Sequence, residues 1–412
     1  MDNVWILGGL RSFIGVKDGM YRKIPAEILG AQVLKEIKNR FALKDNEIDY
    51  IIGGNAVAGG GNITRLTALT AGLSEEIPAV TLDLQCGSSL ESIATAAAKI
   101  ESGLADLVIA GGFESSSTQP FRMWNPNHPD YQEGKCYTVA KFIPELQGEQ
   151  VMLEGAEKTA LTENVTKAEM DPWVLLSHKR AAQAAKGGIL SDIQLSIEGS
   201  RKDEGIRPSM SQRLLDRLPY ILPGGKVITA ANACLMHDGA AFVVLCSEKY
   251  RKAHKLSPQA AFRFGTSIGS DPFMSPKTAV LAIRKLFKQT GLSIDEIDSL
   301  EVNEAFAVID VLLEREFPGI RDRLNPLGGA LAYGHPYGAS GAIILLHLLK
   351  NLQVNKGRFG ICGVAAAGGD RNLPSGRKSK GIESKGIESK DIESKDIEST
   401  LSMLEIQNLW ER

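Results

Sequence analysis

Four residues of this sequence could take part in covalent catalysis or support it: Cys86, Cys362, His335 and Asn303. A thiolate is a nucleophile, and an imidazole titrates near neutral pH and can act as a general base. A side-chain amide can orient water or contribute to an oxyanion hole. Each of the four stands where an apolar run meets a turn, but none of them alone is strong evidence.

Cys86 lies in the stretch DLQCGSSLESIATAAA, residues 83–98, between a strand-like approach and a long helical pattern. This spacing predicts a sulfur at a helix N-terminus, where the macrodipole and unpaired N–H groups favour the thiolate. The small residues that follow leave room for a substrate. Taken alone, a cysteine at a helix start is more often a packing residue.

His335 lies in NPLGGALAYGHPYGASG, residues 325–341, between glycine and proline and just before another helical pattern. Such a histidine is held in a rigid turn, as a general base requires, although a structural histidine bound by turn carbonyls is the alternative. Cys362 ends a buried strand in GICGVAAAGG, residues 360–369, and could exchange a proton with substrate.

The elements that must position these residues follow an α/β pattern. Short apolar runs at residues 4–7, 51–52 and 107–110 each end in a pair of glycines, and residues 26–37 show helical spacing. Buried strands that alternate with helices predict a largely parallel sheet covered by helices.

The chain also repeats itself. LKDNEID at residues 43–49 returns as LSIDEID at residues 292–298, and the later turn sequences CGSS and HPYGAS follow in the same order. Two halves built on one plan are therefore expected. Residues 119–217 lack regular strand spacing and contain many charges, which predicts an inserted loop domain that covers a site.

The C-terminal region differs in composition. Residues 379–399 are near-perfect pentapeptides of the type SKGIE and SKDIE, and disorder is the expectation for them. Leu401, Leu404, Leu409 and Trp410 form a short amphipathic pattern that could dock on a protein partner or form a fraying helix.

These motifs together resemble the thiolase family over residues 4 to about 369. The resemblance rests on a cysteine before a helix, then NEAF at 303–306, GHPYGASG at 334–341 and the late cysteine segment, in that order. RSFIG at 11–15 and NACLMHDGAA at 232–241 look like further family segments. The resemblance implies duplicated α/β halves in a layered α-β-α-β-α core.

The resemblance also implies roles. Cys86 would attack an acyl thioester and hold the acyl group, and His335 would activate it. An Asn303-held water would help His335 to bind the thioester oxygen, and Cys362 would exchange the α-proton of the second acyl-CoA. The implied substrates are acyl-CoA and CoA, the implied assembly is a homodimer or homotetramer, and no metal or redox cofactor is implied.

Five further positions are expected to shape the site. Gly363 and Val364, in the turn after the late cysteine, would complete a second oxyanion hole together with the N–H of the nucleophile. Cys234, Glu157 and Phe306 are expected to bind substrate, although Cys234 stands where the family has a serine and Glu157 where short-chain synthases have histidine. These departures leave the acyl preference, and CoA itself as the carrier, open.

Composition excludes other classes. A formal net charge of -2 over 412 residues offers no basic field for nucleic acid, and no long uncharged stretch predicts a membrane span. The start of the chain lacks a basic, apolar leader, so no secretory signal is expected. Five widely spaced cysteines without metal-ligand spacing are expected to be reduced thiols in a cytoplasmic compartment.

The predicted organisation has five segments: an N-terminal half (1–118), a CoA-binding loop domain (119–217), a return segment (218–245), a C-terminal half (246–375) and a tail (376–412). The polar, proline-containing stretch just after the late glycines cannot be a buried strand. Either the sheet lacks its last strand, or the reading frame has diverged and the pentapeptides were acquired afterwards.

Three functions remain open at this point: an active acyl-CoA C-acyltransferase, a biosynthetic condensing enzyme served by a carrier protein, and a noncatalytic scaffold whose tail recruits a partner.

Overall fold

The backbone forms one mixed sheet with helices on both faces and between its two halves. A computed structural model describes residues 4–141, 148 and 150–366 and the backbone of 399–405. The strands are β1 (Val4–Ser12), β2 (Gly15–Val16), β3 (Tyr50–Gly54), β4 (Ala79–Leu82), β5 (Leu107–Ser115), β6 (Gln194–Leu195), β7 (His237–Ser247), β8 (Ala260–Ile268), β9 (Ser299–Val302), β10 (Phe359–Ala365) and β11 (Ser399–Glu405).

Helices connect most of these strands. They are α1 (Ala26–Arg40), α2 (Ile63–Thr70), α3 (Ser88–Glu101), α4 (Val151–Thr162), α5 (Lys167–Lys186), α6 (Gln212–Leu215), α7 (Glu248–Ala253), α8 (Thr278–Thr290), α9 (Val308–Glu316), α10 (Ala330–Tyr333) and α11 (Ser340–Asn355). Short 3₁₀ turns lie at Asp45–Glu47, Pro272–Lys277, Ile294–Glu296 and Tyr337–Ala339.

The order of the strands shows the duplication. The sheet runs β4-β3-β5-β7-β1-β8-β11-β10-β9, so β3-β5-β7-β1 in the first half matches β9-β10-β11-β8 in the second. In each half the first pair is parallel and the next two pairs are antiparallel. The prediction of two halves built on one plan is confirmed.

The repeated sequence motif performs the same task twice. The Asp49 carboxylate accepts two successive backbone N–H groups at the start of β5, at 2.6 and 2.9 Å. The Asp298 carboxylate accepts two successive N–H groups at the start of β10, at 2.6 and 3.0 Å. Each aspartate therefore fixes the parallel strand beside its own, which explains why both copies of the motif end in aspartate.

The layers follow from which faces are apolar. Helices α3 and α11 pack on each other and form a central cluster with residues of both halves of the sheet. Helices α1 and α2 cover the outer face of the first half, and α8 and α9 cover that of the second. The predicted α-β-α-β-α core is confirmed, and the helix starts of α3 and α11 meet at its centre.

Of the two alternatives for the end of the sheet, the one in which the last strand is missing is wrong. Strand β11, which follows the pentapeptides in sequence, lies between β8 and β10 and is antiparallel to both, with Leu401 opposite Gly363 on one side and Thr266 on the other. An open gap there would leave backbone N–H and C=O groups of two strands unpaired. Because the entropy of closing a loop rises slowly with its length, a long insertion before the strand is tolerated.

The terminal amphipathic segment is therefore in part a strand of the main sheet. The pentapeptide run up to residue 398, together with Leu409 and Trp410 and their predicted docking role, lies outside the described residues.

The inserted segment 119–217 contributes α4, α5, α6 and the short β6, which pairs with β1. Helix α5, which contains Trp173, begins with a capping box formed by Thr166 and Glu169. Helix α4 packs on the Pro272–Lys277 turn and α5 on α9 and α10, so the segment covers part of the second half. Within the described ranges, each helix is too short or too polar to span a bilayer.

Candidate active site

Cys86 sits in a tight turn between β4 and α3. Gln85, just before it, adopts a left-handed conformation with φ 49°. The Ser88 hydroxyl accepts the Leu84 N–H at 2.9 Å and donates to the Gln85 carbonyl at 2.6 Å. The turn is thereby locked by its own residues, and the Cys86 side chain is 7% exposed at the start of α3, as the sequence predicted.

The protonation state of Cys86 differs from the expectation. Burial raises the pKa of the Cys86 thiol to about 12; the Glu114 and Asp83 carboxylates raise it as well, and only a backbone hydrogen bond lowers it. Loss of hydration outweighs the favourable position at a helix start. The resting group is therefore a neutral thiol, and its attack needs a base that takes the proton.

His335 is held in the turn before α11. Gly334 has φ 107°, and a Cβ there would lie 2.2 Å from the ring of His237. The backbone of His335 forms a bridge with Met236, and its Nδ1 lies 2.6 Å from Ser340 Oγ. Burial lowers the pKa of His335 to about 3, with a further contribution from His237. The imidazole is neutral and able to accept a proton.

Asn303 joins two of the predicted segments at the end of β9. Its Nδ2 lies 3.5 Å from Nε2 of His335, and its backbone N–H donates to the Gly363 carbonyl at 2.9 Å. The side chain is 1% exposed. The structure thus brings the asparagine to the histidine and ties its backbone to strand β10, one residue after Cys362. The expectation that Gly363 and Val364 lie in a turn is wrong, because both are residues of this strand, paired on either side by β9 and β11.

Cys362 reaches the same region through the alternation of β10. Cys362 and Val364 belong to the central cluster that contains Cys86, whereas Ile361 and Ala365 belong to the outer core of the second half. Because successive side chains of a strand point to opposite faces, this register directs the Cys362 thiol towards the central layer. Both cysteines of the predicted set therefore line the same layer of the core.

Burial raises the pKa of the Cys234 thiol, and a charge on the nearby Cys86 sulfur raises it further, so Cys234 lies near the nucleophile. Its N–H donates to the Ala305 carbonyl at 2.9 Å, and Ala233 pairs with Phe306. The Phe306 side chain packs in the outer core of the second half and is 5% exposed. Cys234 is therefore at the site, and Phe306 supports it from behind.

Glu157 has a task that the sequence did not suggest. Its buried carboxylate accepts the backbone N–H groups of Lys226, Val227 and Ile228 at 2.5–3.3 Å. Charge-assisted bonds of this kind fix a loop strongly. Any effect of Glu157 on substrate must pass through this turn, which leads along the chain to Cys234.

Glu114 is a residue that sequence reasoning missed. Its carboxylate is fully buried and accepts N–H groups from the Asn55 side chain, the backbone of Ala56 and Val57, and the backbone of Gly338 at 3.0 Å. Burial raises its pKa to about 7. Glu114 thereby ties the loop after β3 to the His335 turn. A charged residue at the end of a buried apolar strand was the available signal.

Three other neighbours of the His335 imidazole lie within the sequence motifs but were not predicted as site residues. Tyr337 stacks edge-on against His335 with ring centroids 5.1 Å apart. Ser340 bonds its Nδ1, and His237 packs behind Gly334. For Ser340 the signal was a hydroxyl five residues after a histidine at a helix start.

The described residues contain neither a disulfide bond nor a cluster of side chains that could hold a metal ion. The five cysteines all lie there, and none forms a disulfide. Among the same residues no group of three or more His, Cys, Asp or Glu side chains is placed to hold a metal ion.

Comparison with known proteins gives consistent matches. The family model for the thiolase N-terminal domain matches residues 4–249, and that for the thiolase C-terminal domain matches residues 256–372. The steroid 3-ketoacyl-CoA thiolase FadA6 of Mycobacterium tuberculosis is 33% identical over 382 residues, which cover 90% of this chain and 93% of that protein.

Two solved structures superpose over nearly the whole chain. The acetyl-CoA acetyltransferase of Bacillus anthracis has a TM-score of 0.86 at 28% identity and covers 99% of both chains. The human mitochondrial 3-ketoacyl-CoA thiolase in complex with CoA has a TM-score of 0.84 at 26% identity and covers 98% of both.

Proposed function

The chain belongs to the thiolase family and is a thiolase-type acyltransferase, and from this premise we propose that it transfers an acyl group between CoA thioesters by way of Cys86. The observation that carries the proposal is that Cys86 and Cys362 belong to one central cluster, while Asn303 lies 3.5 Å from His335 and Tyr337 neighbours both His335 and Cys86. Two neutral groups, a thiol and an imidazole, are available there for coupled proton transfer.

In the degradative direction, Cys86 Sγ attacks the 3-keto carbonyl carbon of a 3-ketoacyl-CoA while the thiol proton passes to His335 Nε2. Asn303, 3.5 Å from that nitrogen, helps to stabilise the oxyanion through a bound water. Because the thiol is neutral at rest, attack and proton transfer occur together.

The second half of the cleavage uses Cys362. The bond between C2 and C3 of the substrate breaks, and C2 takes a proton from the Cys362 thiol, so a shortened acyl group stays on Cys86 and an acyl-CoA leaves. Incoming CoA gives its proton to the Cys362 thiolate and attacks the acyl group. Cys86 leaves and regains its proton from His335. Synthesis is the reverse, and the thioester itself supplies the acidity of C2, so the proposal includes no metal or redox cofactor.

We assign the CoA side of the site to the stretch from the turn at residues 226–228 to Cys234. Its support is twofold: Glu157 fixes the turn, and Cys234 is near enough to the nucleophile to feel a charge on its sulfur. Leu235 and Met236, the next residues, are 50% and 39% exposed. The inserted segment, proposed as the CoA-binding loop domain, contributes Glu157 and so shapes this wall. The human relative of known structure was solved with CoA.

The enzyme is tested by thiolysis of a series of 3-ketoacyl-CoA esters from acetoacetyl-CoA to long chains, followed by loss of the magnesium-enolate absorbance. Mass spectrometry of the protein then identifies the acyl group on Cys86. Turnover with an acyl adduct on that residue supports the proposal, and absence of both with every ester refutes it.

The same experiment decides between the alternatives. Preferential acylation of Cys86 from an acyl-carrier protein favours the biosynthetic condensing enzyme, for which Cys234 in place of a hydroxyl residue is the supporting feature. A protein that is never acylated, and whose tail captures a partner, is the scaffold.

We further propose that the chain forms a homodimer or homotetramer. Strand β4 is at the edge of the sheet with Val80 37% exposed, and Leu66 and Leu69 of the adjacent α2 are 51% and 44% exposed. An exposed apolar edge of this kind usually pairs with another copy. Light scattering of the purified protein measures the subunit number, and a monomer would refute this assignment.

A further inference from the structure

A small buried cavity lies beside the His335 turn. Its lining contains four polar or titratable side chains, those of Asn303, Tyr333, Ser340 and His347, and its other walls are glycines, Ala330, Ile343 and Ile344. Its volume is about 10 Å³, close to the least space that holds one water molecule, about 10–15 Å³. Cys86 is not part of this lining, and Asn303 is the lining residue that the proposed reaction also uses.

His347 is the unusual member of the lining. It is 2% exposed on α11, and among the described residues its Nε2 has no hydrogen-bond partner. Burial, with a contribution from Arg11, holds the pKa of His347 well below its usual value, so the ring is neutral. Buried polar atoms are nearly always bonded to protein or to ordered water. The orphaned nitrogen therefore needs a ligand, and the cavity is where one fits.

Ser340 links this cavity to the catalytic imidazole. Its Oγ lies 2.6 Å from His335 Nδ1. If the hydroxyl donates to Nδ1, the imidazole carries its proton on Nε2 and cannot accept one from Cys86. If Nδ1–H donates to Oγ, then Nε2 is available as the base, and the hydroxyl proton of Ser340 must go to another acceptor. The direction of this one bond sets the tautomer.

We propose that the cavity binds one water molecule, which accepts the Ser340 hydroxyl proton and donates to His347 Nε2, so that His347 acts as a positioning residue for the catalytic tautomer of His335. Asn303 supplies a third polar contact, and two to four contacts are usual for a buried water. The Tyr333 hydroxyl already donates to the Leu327 carbonyl at 2.9 Å and does not compete as a donor. This inference rests on the proposed role of His335 as the base.

The kinetic test compares His347→Leu, which removes the acceptor, with His347→Gln, which restores a polar group of similar length. We expect His347→Leu to lower the single-turnover rate of Cys86 acylation by about tenfold, a fraction of what a general base contributes. KM should stay within about twofold, because the residue does not touch substrate. His347→Gln should recover most of the rate.

Selective ¹⁵N labelling of histidine reports the tautomer directly. The wild type should show His335 protonated on Nδ1, and His347→Leu should shift the population towards Nε2. A merely structural role would lower thermal stability without moving the tautomer or the rate per acylated site.

Two results would overturn the inference: equal acylation rates and tautomers in wild type and His347→Leu, or a high-resolution crystal structure in which no water bridges Ser340 Oγ and His347 Nε2. Failure of the wild type itself to acylate Cys86 contradicts the proposed function instead, and the two outcomes are therefore distinguishable.

Discussion

The turn that carries Cys86 and the turn that carries His335 occupy matching places in the two halves of the molecule. Each precedes the helix that leads into the second strand of the parallel pair, α3 before β5 and α11 before β10. Each contains a left-handed residue, Gln85 with φ 49° and Gly334 with φ 107°. In each, the first serine of the helix fixes the turn, Ser88 in one half and Ser340 in the other.

The two turns differ in what holds them. The Cys86 turn is locked by bonds within residues 84–88, whereas the His335 turn depends on Glu114 from β5 and on the backbone of Met236. The duplication thus places two helix N-termini close together. Because the two sequences have diverged, the turn before one helix carries the nucleophile and the turn before the other carries the base. The nucleophile turn is local, and the base turn is assembled from both halves.

We expect the largest effect from removing strand β11, which is the counterpart of β7 in the other half. A chain that ends at residue 375 loses a strand from the interior of the sheet and should not give folded, soluble protein. Deletion of residues 376–398 alone keeps β11 and should retain the circular dichroism spectrum and the activity of the full chain. An active, folded chain ending at residue 375 would contradict the strand assignment.

Cys86→Ser tests the nucleophile half. Loss of a covalent nucleophile lowers kcat by about 10⁴-fold or more, since the hydroxyl is a far weaker nucleophile in the same place. Thiolysis assays and the acyl adduct mass measure the change. Cys136→Ser, at an exposed cysteine, is the matched control and should retain wild-type activity.

His335→Ala tests the base half, and its expected loss in kcat is about 10²–10⁴-fold. The Cys86 thiol should remain largely protonated at neutral pH in the variant, because burial raises its pKa to about 12. Rapid-quench acylation measures the effect. His254→Ala, at an exposed histidine just after the end of α7, serves as the control. Unchanged acylation in His335→Ala would remove His335 from the mechanism.

Ser88 and Ser340, at the starts of α3 and α11, test whether the two turns differ in function as well as in structure. Ser88→Ala breaks bonds that hold only its own turn, so we expect a loss of about 1–3 kcal/mol in unfolding free energy. Ser340→Ala removes the partner of His335 Nδ1 and should instead lower kcat by about tenfold with little loss of stability. Urea unfolding measures the loss of stability and steady-state kinetics the loss of kcat in each variant. Equal losses of stability and of kcat in the two variants would contradict the difference proposed between the two turns.

Glu114→Gln concerns the tie between the halves, and its effect appears as a change in how stability depends on pH. Burial raises the pKa of Glu114 from its usual 4.5 to about 7, so folding favours the protonated acid and the stabilisation is lost as pH rises through 7. Wild type should lose up to about 3 kcal/mol relative to Glu114→Gln between pH 4.5 and 8. Urea unfolding at both pH values measures this, and a parallel loss in the two proteins would refute it.

Much of the site was predictable because its residues stand inside short glycine-rich motifs beside apolar runs, although His335 lies between two helices and Cys362 lies within β10 rather than at its end. Cys86, Asn303, His335 and Cys362 were selected in this way, and the repeated LKDNEID and LSIDEID motifs indicated the two halves. Strand β11 was missed because seven residues after a low-complexity run carry little pattern of their own, and the unpaired edges of β8 and β10 decide their structure.

The sequence by itself determined the local chemistry: which residue types stand at which turns, and that two similar halves exist, since both depend on short-range pattern. Only the tertiary structure decided how those groups behave. Burial keeps Cys86 a thiol and His335 a neutral imidazole, and the fold brings the Glu157 carboxylate to the backbone N–H groups of the turn at residues 226–228. Hydration and hydrogen-bond partners depend on residues hundreds of positions apart, which no local pattern specifies.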